Sequence, residues 1–405
     1  MIKIALRPNL IYPVNLIVWM FLRQLLIILI TDNFNFSNSL MYTILMFLGE
    51  LLAGITLFFY QKKHLKKNKV EKKEYFASFA SIELIQKDEE DEDIDFVPLD
   101  SNCKIMVLIF FSAFFDSVEF LIWTKYIPKF VGLSGSFNSR LGGISTVSCS
   151  LLYVFTIKLP ILRHQKFSLL ITGICLGLII IFELVYQEIN VFLSYIDFVI
   201  ALGLIFAVQI FVSFVDLVDK HLIEYDYMNP FIVLTFEGIF GTLTTLIFIF
   251  VGKDYFKDVR DVYKNNDNFA LFVFLLFVFL ILCGVVNAFR MVTTKLYSPM
   301  TRTLTNYFLN PIYLIYNFTL ENDFNTNGKR NIPLFIINLI ISIIISILGC
   351  VYNEFIVLFF CGLEINTHDQ ISKRSEKLLY HSELKKLELY EMEDDTLSQE
   401  DNFLK

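Results

Sequence analysis

Apolar stretches of roughly 20 residues, the length that carries a helix across a bilayer, recur along most of this 405-residue chain. A segment in lipid must satisfy its backbone N–H and C=O groups internally, so these stretches read as helices. Ten windows qualify: residues 11–31, 39–60, 104–124, 138–159, 166–187, 191–214, 229–252, 269–290, 297–319 and 332–353. With 55% of its residues apolar, the chain is expected to fold as an all-α, polytopic membrane bundle of ten transmembrane helices.

The net charge of -7 is less informative than where the charges sit. Most of the acid lies in residues 88–95 and in the C-terminal tail. With an inside N-terminus, 23 of the 34 Lys and Arg fall on one side and 8 on the other, while Arg23, Arg140 and Arg302 lie within or at the ends of spans. The positive-inside rule then puts both termini in the cytosol and supports an even number of spans. The cytosolic loop 61–103 opens on lysines suited to anionic headgroups and turns to the solvated run Asp88-Glu89-Glu90-Asp91-Glu92-Asp93. The outer loop 253–268 is rich in Lys, Asp and Asn, and Asn35-Phe36-Ser37 fits the glycosylation pattern on that side.

Six cysteines lie in or beside spans and read as small buried hydrophobes. The five histidines fall in loops or the tail without metal-ligand spacing, and no Gly-rich phosphate loop exists. The expectation is therefore no enzyme, no metal, no cofactor and no ATP hydrolysis. Ten spans divide into five plus five, and five being odd, the second half enters the membrane inverted. That is the geometry of an inverted repeat with a solute site between its halves. The expected units are 1–187, a first five-helix repeat carrying loop 61–103; 188–362, a second repeat; and 363–405, a cytosolic tail.

Polar groups inside spans are expensive and normally face a bundle interior or a watery path. The ninth window carries Arg302, Asn306 and Asn310 every four residues, with Ser298 one turn earlier, on one helical face. The third carries Ser112, Asp116 and Glu119 as a second stripe. Glu50 closes the second window, Arg140 opens the fourth, Asp197, Gln209 and Asp216 belong to the sixth, and Glu237 and Asn287 sit in the seventh and eighth. Asp197 and Asp216 lie close enough to span ends to be interfacial. A carboxylate paired with Arg140 or Arg302 can serve charge neutralisation alone. Several polar stripes on separate helices favour a shared cavity.

Several of these segments resemble the drug/metabolite transporter superfamily (EamA-like), and within it the F-type branch of solute carrier family 35. They are Gly49-Glu50, Asp116 in Phe-Phe-Asp-Ser, Ser139-Arg140, Gln209 with Asp219-Lys220, Glu237-Gly-Ile-Phe-Gly241, and Ser298 with Thr301-Arg302. Leu141 stands where that pattern has glycine, Asn306 where it has aspartate, and Asn310 where it has arginine. The resemblance implies two five-helix halves, cytosolic termini and alternating access around a central cavity.

The expected function is secondary transport of a small polar or charged organic solute across an endomembrane such as the Golgi, lysosome or vacuole. Candidate substrate-binding or coupling residues are Glu50, Asp116, Glu119, Arg140, Gln209, Glu237, Asn287, Arg302, Asn306 and Asn310. Arg140 and Arg302 would bind an anionic group or neutralise Asp116 and Glu237. Partners are a small-molecule solute and the lipid bilayer, with no nucleic acid; a homodimer is compatible with the bundle. A non-transporting scaffold or receptor of the same fold is the alternative.

Overall fold

The computed structural model describes residues 2–4, 11–34, 36, 38–67, 103–122, 126, 141–157, 161–186, 195–224, 226–251, 255–265, 268–297, 299–320, 325–326, 329–330, 332–358 and 367. In chain order the elements are β1 (Ile2–Ile4), α1 (Ile11–Phe34), α2 (Ser39–Lys67), α3 (Cys103–Leu121), α4 (Gly143–Ile157), α5 (Arg163–Tyr186), α6 (Tyr195–Glu224), α7 (Pro230–Val251), α8 (Tyr255–Asn265), α9 (Phe269–Leu296), α10 (Pro299–Phe308), α11 (Asn310–Leu320), β2 (Asn325–Thr326), β3 (Lys329–Arg330), α12 (Ile332–Tyr352) and β4 (Ile356–Leu358). Seven of the helices, α1, α2, α5, α6, α7, α9 and α12, are long and apolar enough to cross a membrane. The protein is a multi-pass helical membrane protein.

The other three expected windows hold shorter or more charged helices. The third holds α3, whose 19 residues include Lys104, Asp116 and Glu119. The fourth holds α4, a short apolar helix of 15 residues. The ninth is not one helix but two, divided at Leu309. Pro311 explains the division: it offers no N–H to the Tyr307 carbonyl four residues back, and its ring crowds that turn. A discontinuous helix at membrane depth is tolerated where it lines a cavity rather than lipid.

Two windows end too early. Helix α6 continues past residue 214 to Glu224, and α9 past residue 290 to Leu296, so Asp216, Asp219, Lys220 and Arg290 are helical and buried. A hydropathy window counts each charge as a penalty, whether or not the fold supplies a counter-charge. Loop 253–268 likewise contains a helix, α8, whose Val259 and Val262 pack against Phe34, Phe36 and Phe272. His164 and His221 also lie in helices rather than loops, and buried His164 sits 3.4 Å from Glu354.

Packing follows lipid rules. Helix α1 turns Val14, Val18, Leu22, Leu25 and Leu29 outward, one every three or four residues, which in a bilayer is the lipid face. Helix α2 packs between α7 and α9 at the centre of the bundle. A side chain on Gly284 would come within 2.6 Å of the Gly49 carbonyl of α2. One on Gly238 of α7 would come within 2.6 Å of the Leu51 amide of α2. These glycines let three backbones approach to contact distance. By contrast, nothing lies within 4 Å of a side chain built on Gly173, Gly177 or Gly203.

Strand β1 pairs antiparallel with β4, Ile2 opposite Leu358 and Ile4 opposite Ile356. The segment before α1 and the segment after α12 therefore lie side by side. A second ladder joins β2 to β3 between α11 and α12.

Candidate functional site

Arg290 is the hub of the bundle interior. It projects from α9 one turn beyond Asn287, on the same face. Its Nη2 donates to Glu237 Oε2 at 2.8 Å and to Asp219 Oδ2 at 3.3 Å, while its Nη1 lies 3.9 Å from both Glu50 and Asp116. Four carboxylates from α2, α3, α6 and α7 thus converge on one guanidinium, a planar fork with five donors. Ser112 of α3 donates to the other oxygen of Glu237 at 2.9 Å. Both oxygens of Glu50 are buried and make no hydrogen bond among the described residues, so its compensation is the longer-range field of Arg290.

A second pair lies alongside. Arg302, in the first turn of α10, bonds Asp216 of α6. One turn further along α6, the buried Lys220 donates to the carbonyls of Thr294 at 3.1 Å and Tyr297 at 2.6 Å. There it caps the C-terminal end of α9, where the helix dipole favours a cation.

Next to these pairs is a cavity of about 300 Å³. Six of the ten sequence candidates line it: Asp116, Glu119, Gln209, Asn287, Arg302 and Asn310. Asn310 reaches it from the start of α11 and Arg302 from α10, so both helices of the divided ninth window contribute a polar group. Ser145 of α4 also lines it, and its carbonyl accepts a 2.9 Å bond from Ser213, tying α4 to α6 behind the wall. Arg23, Gln24 and Arg290 also line it, and much of the remaining wall is aromatic and aliphatic, with Tyr42, Phe120, Phe279, Tyr307 and Tyr313.

The other candidates are elsewhere. Glu50 and Glu237 stand behind Arg290 and do not line the cavity. Arg140, Ser298 and the side chain of Asn306 lie outside the described residues. The expected pairing also changes. Arg290, not Arg302, contacts Asp116 and Glu237, and Asp216 is fully buried against Arg302 rather than interfacial. Asp197 remains at a helix end, in the first turn of α6.

Sequence reasoning missed Asp219 and Lys220 as interior groups because they fall beyond the end of the sixth window, and Arg290 because it is the last residue of the eighth and was counted with the cytosolic charges. A usable signal existed in α9. Cys283, Asn287 and Arg290 repeat at offsets of four and three, which carries one face right up to the assigned end.

No protein-family model matches the chain, and no significant match was found among curated proteins.

Proposed function

We propose that the protein is a secondary transporter that moves a small polar or charged organic solute through the central cavity by alternating access. The observation that carries this reading is the cavity itself. It is a polar-lined space inside a membrane bundle, walled by helices from both ends of the sequence and by a broken helix. Transporters build midplane sites from such discontinuous helices between repeats.

In this reading the chain makes ten crossings, with α10 and α11 together forming the ninth. The β1–β4 ladder supports an even number, since the segments flanking the first and last helices lie together. The neighbour pattern supports two inverted five-helix halves. Pairs α2–α9, α1–α9 and α4–α6 recur as α7–α3, α6–α3 and α10–α1 when each span is exchanged for the one five later, and α2–α7, α5–α12 and α4–α10 map onto themselves. The sequence resemblance to EamA-like transporters of the solute carrier family 35 F-type branch points the same way. With it come cytosolic termini and an endomembrane location. The buried carboxylates outnumber the arginines they face, which gives the site groups able to take up a coupling proton.

Uptake in reconstituted vesicles tests the proposal. Arg302→Ala leaves Asp216 buried without its partner, so the informative companion is Arg302→Gln with Asp216→Asn, which removes both charges together. Both variants are expected to lose uptake of the transported solute to background, with the double variant keeping the parent melting temperature. Wild-type uptake by the double variant removes Arg302 from the mechanism.

Residues that face lipid give the contrasting expectation. Gly177→Leu on α5 meets no neighbour at its Cβ and is expected to stabilise the helix by about 0.5–1 kcal/mol and leave uptake unaltered, measured by thermal melting and flux in the same vesicles.

A further inference from the structure

Three arginines line the cavity among the described residues, and two of them are held by carboxylates. The third is Arg23 of α1. No ion pair among the described residues involves it, and its Nε is buried without a hydrogen bond. Its polar surroundings include the Cys283 thiol, a weak acceptor, Tyr313 and a second guanidinium, that of Arg302.

An unpaired guanidinium inside a membrane bundle is costly and normally either reaches the interface or finds a counter-charge. Arg23 sits near the middle of α1, roughly 17 Å along the axis from either end at 1.5 Å per residue, beyond the reach of one side chain. Asp116 and Glu119 share the cavity, but Asp116 faces Arg290 and Glu119 neighbours Asp116. Among the described residues no further carboxylate is placed against Arg23, which leaves the cavity as the route for a counter-charge.

Resting on the transport reading above, we infer that Arg23 anchors an anionic group, a carboxylate or a phosphate, of the transported solute. A guanidinium binds either of these with paired N–H donors. The adjoining wall gives the rest of the ligand. The Tyr42 and Phe279 rings meet edge-on at 5.1 Å and, with Met46, line the space beside Cys283. The surface suits a flat apolar body, and the volume is at the small end of ligand pockets. The solute class is an aryl or similarly compact organic anion.

The test uses the full chain in phosphatidylcholine nanodiscs, titrated calorimetrically with benzoate, phenyl phosphate, benzamide and benzylamine. Benzoate or phenyl phosphate is expected to bind saturably, with benzamide and benzylamine weaker by about tenfold or more, the scale of one charge-assisted hydrogen bond. Arg23→Gln should abolish that preference while raising the melting temperature of the unliganded protein, because it removes an uncompensated charge; a purely structural arginine would give the opposite shift. Arg23→Lys should keep part of the preference, and serves alone if the glutamine variant does not fold. Equal binding of benzoate and benzamide, unchanged anion binding by Arg23→Gln, or no binding of either anion by the wild type overturns the assignment. The same anions followed in vesicles separate the two readings. Binding without flux under any ion gradient removes transport and leaves the Arg23 site standing. Flux that ignores Arg23→Gln removes the anchor and leaves transport standing.

Discussion

Arg290→Leu is expected to leave little folded protein in the membrane. The substitution is similar in volume but strands Glu50, Asp116, Asp219 and Glu237 in the bundle interior with no cation within ion-pair distance among the described residues. Removing one partner of a buried pair destabilises by about 3–5 kcal/mol, because the surviving charge keeps its desolvation penalty and loses its compensation. Here four charges survive, and folded proteins have only about 5–15 kcal/mol in hand. Fluorescence-detected size exclusion and thermal melting of the detergent-solubilised protein measure the effect. The explanation makes a further demand. Adding Glu237→Gln, which removes the carboxylate closest to the guanidinium, should recover part of the lost stability. Arg290→Lys should fall between, since a compact ammonium cannot fork toward acids on four helices. An Arg290→Leu protein that melts like the parent would show that the carboxylates need no guanidinium, and the hub would be an accident of proximity.

Gly284→Leu should disrupt the bundle almost as severely for a steric reason. Its Cβ alone would sit 2.6 Å from the Gly49 carbonyl, with backbone rather than a flexible side chain as the obstacle. Overpacking of a rigid core destabilises by about 1–3 kcal/mol, and more where backbones must separate. Helix α2 touches α7 on its other flank, so displacing it from α9 drives it into Gly238. The expected result is loss of monodisperse protein on size exclusion. Normal behaviour of Gly284→Leu would mean that the α2–α9 contact is looser than its geometry.

The parts legible in the sequence are those set by spacing within one helix. Ser112, Asp116 and Glu119 recur at offsets of four and three, and their common face directs Ser112 to Glu237 and the two acids to the cavity. The membrane character was legible for the same reason, since length and apolarity are local properties. What was not legible depends on partners far along the chain. Asp219 and Arg290 are 71 residues apart and Asp216 and Arg302 are 86 apart, so Asp216, Asp219 and Arg290 looked like penalties near span ends and Arg302 had no identified partner on α6. The division of the ninth window lay in plain view at Pro311, but averaging hydropathy over a window erases a single missing donor. Helix α8 escaped because its apolar residues are few and only their helical spacing marks them.

The ladder between β1 and β4 ties the segment ahead of α1 to the segment behind α12. In the proposed transport cycle, this clasp would make the first and last segments travel as one body. It would then act as a pivot at the rim, about which the rest of the structure swings.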